Sequence, residues 1–306
     1  MITFLSSPKP FVGVAREQQY RAMQSWLAAA PGAEIFLYGE SAGIDDAGAR
    51  VGATVVRDVA CAQSGVPFFG AIVEHARRSG KYDWQIYLNG DILLTGILSA
   101  FRQIQFPQFL LIGERIDLDE GGFVDVTAPN WKEKLDELHC QGRLRIHGPT
   151  GIDYFGFRRG LWDGLPPVVI GRGGYDNALL AHCLRRRIPI VDGTRVVTAL
   201  HQFHDYGHVN GGEKTVFKGA EAHANSIAAG GKHSATLISD ADYVLREGHL
   251  FYEPCRGDAL RHIELQCRYR YPLGVVGVAL RAVWRLLAAV GLRRVRNYDL
   301  NMLLSL

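Results

Sequence analysis

The chain has 306 residues, 47% hydrophobic and 21% charged, with a formal net charge of +3. That balance excludes disordered, fibrous and collagen-like chains and leaves a folded protein large enough for one α/β domain with an appendage. A pI near 8.6 with nearly matched acids and bases excludes a nucleic-acid footprint over the whole surface, so no nucleic-acid partner is expected. Cys61, Cys140, Cys183, Cys255 and Cys267 stand far apart without a CxxC pair and read as reduced thiols. Met1 to Leu5 run straight into a strand, without the charged, apolar and small-residue regions of a signal peptide, and no charge-free apolar stretch is long enough to span a bilayer. The expected location is the cytoplasm.

In chain order, residues 2–5 read as a strand, Ser7-Pro8-Lys9-Pro10 as a loop and Gln18 to Ala30 as a helix ended by Pro31-Gly32. Ala33 to Tyr38 and Ala53 to Val56 are further strands, the second after an Asp- and Gly-rich turn. Pro67 to Arg78 reads as a helix, Trp84 to Leu88 as a buried strand leading into Asn89-Gly90-Asp91, Ile97 to Gln105 as a helix and Phe109 to Gly113 as a strand. Between Asp117 and Gly151 the alternation breaks into an acidic turn, a polar helical segment from Trp131 and a basic stretch from Arg143 to His147, the composition of a lid or an acceptor-side insertion. Tyr154 to Phe157, Val168 to Ile170, Ile188 to Asp192 and Val196 to Ala199 are strand-like, Tyr175 to Arg187 is helical, and residues 210–235, rich in Gly, Ala and His, read as a surface loop. Strands alternating with helices predict a mostly parallel sheet covered on both faces. The expected organisation is a catalytic domain over 1–250 and a helical extension over 251–306.

Three segments carry chemistry. The first is Asn89-Gly90-Asp91, delivered at the end of an apolar strand where open α/β sheets bind ligands. Asp91 suits a hard Mg²⁺ or Mn²⁺ ion, which bridges one or two carboxylates to phosphates, and equally suits a turn cap. The second is His201-Gln202-Phe203-His204-Asp205-Tyr206-Gly207-His208, in which His201 and His204 could face one ligand or could be solvated loop histidines. The third is Gly171-Arg172-Gly173-Gly174-Tyr175-Asp176-Asn177, a glycine-rich turn opening a helix. Asp176 there is by default a cap, and alternatively a general base, with Arg172 a phosphate partner.

Together with Thr3 to Phe11, Tyr87 to Ile92 and Gly151-Ile152-Asp153-Tyr154-Phe155, these segments resemble the nucleotide-sugar glycosyltransferases of the GT-A type, and more closely a bacterial group within them, over about the first four-fifths of the chain. The resemblance implies a Rossmann-type, mixed, mostly parallel central sheet. It implies a nucleotide-sugar donor, a glycan or lipid-linked acceptor, and Mn²⁺ or Mg²⁺ held by Asp91 with His204 or His201. It makes Asp176 the acceptor-activating base and places Ser7, Lys9, Asn89, Gly90, Arg172 and Asn177 by the nucleotide sugar. Gly65-Val66-Pro67 resembles the loop that shapes the base and ribose pocket. Asp153, in its strand-edge setting before Tyr154, could orient an acceptor or donor hydroxyl, with Tyr154 on the acceptor side, and equally suits a structural Asp satisfied by loop amides. Two positions depart from the family pattern: Asn89 replaces the first acid of the usual pair, and Tyr175 stands where inverting members carry an acid.

Residues 273–296 are almost wholly apolar apart from Arg281, Arg285 and the terminal Arg293-Arg294-Val295-Arg296. Arg281 and Arg285 are four apart and share a helical face, which fits a helix lying on the inner surface of the cytoplasmic membrane or one packed on protein. The sequence therefore predicts a glycosyltransferase of bacterial surface polysaccharide assembly. The competing readings are a catalytically silent carbohydrate-binding or scaffold protein of the same fold, and a sugar-phosphate nucleotidyltransferase, which lacks here its Gly-rich basic first loop.

Overall fold

The structure, a computed structural model, describes residues 1–203, 212–231, 235–246, 248–271, 273–290 and 297–304. The first third runs β1 (Ile2–Ser6), α1 (Gly13–Ala29), β2 (Glu34–Tyr38), α2 (Ile44–Val51), β3 (Thr54–Val56), α3 (Phe69–Ser79) and β4 (Trp84–Leu88). These strands are parallel in the order β3-β2-β1-β4. The chain thus builds outward from β1 in one direction, then returns to its other side, and a crevice opens beyond the ends of β1 and β4. Every residue of β1 is buried, with Leu5 facing one core layer and Ile2 and Phe4 the other, as a strand covered on both faces requires.

The middle of the chain supplies β5 (Ile92–Thr95), α4 (Ile97–Gln103), β6 (Leu110–Ile112), β7 (Ile116–Leu118), α5 (Trp131–Cys140), β8 (Leu144–Ile146), β9 (Tyr154–Arg158), α6 (Tyr175–Arg185), β10 (Ile190–Asp192) and β11 (Thr198–His201). The last part adds α7 (Gly212–Lys218), α8 (Ala220–Ala229), β12 (Tyr243–Arg246), β13 (His249–Tyr252), α9 (Ala259–Leu265), α10 (Gly274–Ala289) and α11 (Leu300–Leu304). The main sheet has nine strands in the order β13-β12-β10-β6-β9-β4-β1-β2-β3, parallel except for β9 and β13. This is the mostly parallel sheet that the alternation predicts, with two antiparallel strands.

A second sheet, β5-β11-β7-β8, stands beside the crevice. One of its faces presents Leu93, Leu118, Leu144 and Leu200 to Leu135 and Leu138 of α5. On the other, Ile92, Leu94 and Ala199 join the main core. Helix α1 ties the two sheets together: Trp26 Nε1 donates to the Ile92 carbonyl at 2.8 Å, and the Ser25 hydroxyl accepts from the Leu94 amide at 3.0 Å.

Several expectations are corrected. Residues 210–235 hold α7 and α8 rather than a loop, since the run Ala220–Ala229 is rich in the strongest helix former. The segment between the second and third strands is helix α2, bracketed by Gly43 and Gly52 at φ +77° and +69°. Val168 to Ile170 forms only an isolated antiparallel bridge, Val169 with Phe68, and the Asn225 side chain also engages Val169, accepting from its amide at 2.9 Å and donating to its carbonyl at 2.8 Å. Beyond residue 250 the chain continues as β13 at the sheet edge, and Cys255, Leu265 and Tyr269 sit in the core layer that holds Leu5.

Candidate active site

The crevice is built from strand ends. From β1 comes Lys9, whose Nζ donates to Asp91 Oδ2 at 2.6 Å, while the Asp91 carboxylate follows β4 and is almost wholly buried. A clasp fixes Lys9: its amide donates to Gln19 Oε1 at 2.8 Å and Gln19 Nε2 donates back to its carbonyl at 3.0 Å. Gly90 is required by this clasp, because a Cβ there would lie 2.8 Å from Gln19 Oε1 and 3.5 Å from Pro8 Cα. Gln202 closes the floor, donating from Nε2 to the Asp91 and Gln18 carbonyls at 2.9 Å each.

Strand β9 runs antiparallel to β4, so its N-terminal end meets the C-terminal end of β4 and sets Asp153 against Asn89. Asn89 Nδ2 donates to Asp153 Oδ1 at 2.5 Å and its amide to the Asp153 carbonyl at 3.1 Å. The Asn89 amide group therefore orients Asp153. The other Asp153 oxygen accepts from Arg115 Nη1.

Arg115 opens a second cluster that the small sheet assembles. Its Nε donates to Asp117 Oδ1 at 2.8 Å, and Asp117 lies 2.9 Å from His147 Nδ1 and 3.5 Å from His201 Nδ1. His147 Nδ1 is also 3.0 Å from Arg115 Nη2, so it donates to Asp117 when protonated and accepts from Arg115 when not. Gly151 makes room for this ring, since a Cβ there would lie 2.4 Å from His147 Cδ2. Burial pushes the Asp117 carboxyl up, but hydrogen bonds from both histidines and the Arg115 charge hold it well below the usual carboxylate range.

Asp176 lies in the first turn of α6, after Gly174 at φ +80°. Its Oδ1 accepts from the Asn177 amide at 2.8 Å and from Asn177 Nδ2 at 2.9 Å. Burial raises its pKa, the two Asn177 hydrogen bonds oppose that rise, and the Asp153 charge adds to it. The Tyr175 phenol, raised by burial and then by Tyr87, Asp153 and Asp176, with Arg115 opposing, lies at the junction of these groups.

Lys9, Asn89, Gly90, Asp91 and Asp153 thus meet at the ends of β1, β4 and β9, and Asp176 is near enough for the Asp153 charge to act on it. Arg172 is paired within the protein: its Nε donates to Glu221 Oε2 at 2.8 Å, and Glu221 also accepts from Ser64 Oγ at 2.6 Å. That bridge pins the turn holding Gly65, which is exposed at φ +81°, while Pro67 is buried beside it. Asn177 has a structural task, accepting from the Thr236 amide at 2.7 Å. Tyr154 is corrected as an acceptor contact: strand alternation turns it into the core, fully buried, with its hydroxyl where a Cβ on Gly113 would lie 2.2 Å away. Ser7 is half-buried at the crevice rim.

Of the expected metal set, Asp91 and His201 are among the described residues. Asp91 meets Lys9, His201 meets Asp117, and His204 lies outside the described residues. Among the described residues no three His, Cys, Asp or Glu side chains form a metal cage. The single buried carboxylate of Asp91 fits instead the kind of site in which substrate phosphates and water complete the shell of Mg²⁺ or Mn²⁺. Arg115, Asp117 and His147 escaped the sequence reading; of the three, only His147 lies in the basic stretch from Arg143 to His147.

No family model and no curated protein matches the chain. Among solved structures it is similar to a mycobacterial protein at 15% identity and a TM-score of 0.45, covering 76% of this chain and 75% of the other. It is similar to a mannosyltransferase from Pyrobaculum calidifontis, solved with GDP-Man and Mn²⁺, at 12% identity and a TM-score of 0.44, covering 96% and 81%. It is also similar to glucosyl-3-phosphoglycerate synthase from Mycobacterium tuberculosis, solved with Mn²⁺, UDP and phosphoglyceric acid, at 15% identity and a TM-score of 0.41, covering 76% and 79%.

Proposed function

We propose that the protein transfers a sugar from a nucleotide-diphosphate donor to a glycan or lipid-linked acceptor in bacterial surface polysaccharide biosynthesis. The observation that supports this reading is the arrangement at the facing ends of β4 and β9, where Asp91 is ion-paired to Lys9 and Asp153 is held by Asn89, together with a buried carboxyl of raised pKa, Asp176, on which the Asp153 charge acts. Glycosyl transfer passes through an oxocarbenium-like state, so the site must stabilise a leaving diphosphate and accept a proton from the incoming hydroxyl. Lys9 brings positive charge to the first task. Asp91 would hold a Mn²⁺ or Mg²⁺ ion there, which supplies further charge neutralisation to the diphosphate. Asp176 takes the acceptor proton, and Asp153, fixed by Asn89 and Arg115, orients a sugar hydroxyl.

Turnover of a UDP-, GDP-, TDP- or CMP-sugar, with and without Mn²⁺, tests the assignment. Asp176→Asn is expected to lower kcat by about 10²–10⁴-fold with donor binding retained, the range for loss of a general base. Unchanged turnover would return Asp176 to the role of a helix-turn residue, and no turnover by the wild type with any donor would favour a silent binder.

The acceptor side of the proposal involves α10. No described helix is long and apolar enough to cross a membrane. The arginine arrangement expected for α10 is corrected: Arg281 is buried, donating to the Ala235 carbonyl at 3.0 Å and lying 3.6 Å from Glu264 Oε2, because a buried carboxylate draws the guanidinium inward. Val275, Leu286 and Val290 instead face outward, 86%, 64% and 58% exposed, beside the exposed Arg285. An outward apolar stripe with a cation suits the surface of an anionic bilayer. The full chain is expected to float with anionic liposomes and the Val275→Glu, Leu286→Glu double variant to remain behind; equal flotation would assign the stripe to a protein contact.

A further inference from the structure

Helix α6 ends on three consecutive arginines, Arg185, Arg186 and Arg187, all exposed. The Arg187 amide donates to the Leu184 carbonyl at 3.3 Å and the Ile188 amide to the Cys183 carbonyl at 2.9 Å, the paired closure that ends a helix on a left-handed residue. That residue is Arg187, at φ +56°. Glycine is the usual occupant, because a Cβ is disfavoured there, so a cation stands where the backbone alone would favour no side chain.

Neither Arg186 nor Arg187 is ion-paired among the described residues. Arg186 Nη1 donates to the Asp163 carbonyl at 2.8 Å, and the Arg187 guanidinium carbon lies 5.6 Å from the centre of the Tyr271 ring. Arg185 donates from both terminal nitrogens to the Ala228 and Ala229 carbonyls, at 3.0 and 2.9 Å, which fixes the end of α8 beside it. These contacts set apolar surface on both sides of the arginines. On one side Tyr271 and Leu273 are exposed and lead into α10, whose Val275 and Val276 are exposed as well. On the other, Ile227 is exposed on the last turn of α8. Unpaired cations interleaved with a tyrosine and aliphatic side chains match the headgroup level of an anionic bilayer, where the charges meet lipid phosphates and the apolar groups enter the acyl boundary.

We propose that the end of α6 is a second bilayer contact, in which Arg186 and Arg187 bind anionic lipid headgroups while Tyr271, Leu273 and the outward stripe of α10 enter the interface. This rests on the membrane reading of α10 and deepens it, by naming residues outside that helix that select the lipid.

Co-sedimentation of the full chain with vesicles of phosphatidylglycerol and phosphatidylcholine, and with vesicles of phosphatidylcholine alone, tests this. The wild type is expected to bind the anionic vesicles at least tenfold more tightly, with the preference shrinking as NaCl is raised. The double variant Arg186→Gln, Arg187→Gly is expected to bind them about 25-fold more weakly, roughly fivefold for each cation near a charged surface, with its binding to phosphatidylcholine unchanged. Glycine relieves the left-handed position, so the melting temperature is expected not to fall and a loss of binding is not a loss of fold. Equal wild-type affinity for the two vesicles, or a double variant that binds anionic vesicles as tightly as the wild type, would overturn this proposal and leave the α10 reading standing. Binding of neither vesicle by the wild type would overturn both.

Discussion

Two clusters of arginines and carboxylates are made of the same groups and serve different ends. Around Arg115, the partners Asp117, Asp153 and His147 sit on strand ends, and the cluster grades outward through His147, 30% exposed, to Arg145, 79% exposed. Around Arg261, the partners Asp240 and Glu264 are sealed: Arg261 Nη2 lies 2.5 Å from Asp240 Oδ2, its Nη1 pairs with Glu264, and Arg268 Nε lies 2.6 Å from the other Glu264 oxygen. A charge network open on one side can exchange a protein partner for a ligand. A sealed one can only hold its helices together, since removing any member strands a charge out of water. The first lies beside the proposed transfer site, and the second joins α9 to α10.

Arg261→Met puts the sharpest strain on this contrast. With Asp240 deprived of its partner, unfolding stability is expected to drop by about 3–5 kcal/mol, the range for breaking a buried pair, as read by urea denaturation. A loss below about 1 kcal/mol, ordinary for exposed pairs, would erase the distinction between the clusters.

Arg115→Met should show the reverse balance, with a smaller stability loss, because water and His147 reach Asp117, but donor affinity at least tenfold weaker by equilibrium titration. A variant that binds donor normally yet is as unstable as Arg261→Met would make the Arg115 cluster structural too.

The smallest effect is on pH dependence. A base must be ionised to act, and Asp176 is raised by burial, so kcat/KM is expected to fall on the acid side with a midpoint above the ordinary Asp value of about 3.9. Asp153→Asn removes a neighbouring negative charge that favours the protonated form, so the midpoint should move to lower pH. Movement upward, or an acid limb at the ordinary value, would detach Asp176 from the cluster. Asp117 runs the other way for stability: its depressed pKa stabilises the fold above the unfolded value of about 3.9, and that contribution is lost progressively as pH drops toward the folded value.

Much of this was legible in the chain itself. Apolar runs of four or five residues closed by turn signals marked β1, β2 and β4, and the position of Asp91 at the end of β4 followed from strand length and the polar break after Leu88. Those features are local, because a strand covered on both faces needs continuous hydrophobicity wherever it pairs. What the chain alone left open were the partners. That Lys9 reaches Asp91, 82 residues away, depends on β1 and β4 being neighbours. That Asn89 holds Asp153 depends on β9 being antiparallel, and that Arg172 turns to Glu221 depends on α8, which reads in sequence as loop. Arg281 shows the same limit, since helical periodicity placed it beside Arg285 but only a carboxylate from α9 decided that it faces inward. Hydrophobic pattern determines where elements form, because burial is roughly additive along a segment; the pairing of charges is decided by tertiary structure, because a charge's energy depends on what lies within a few ångströms of it and how far both are from water.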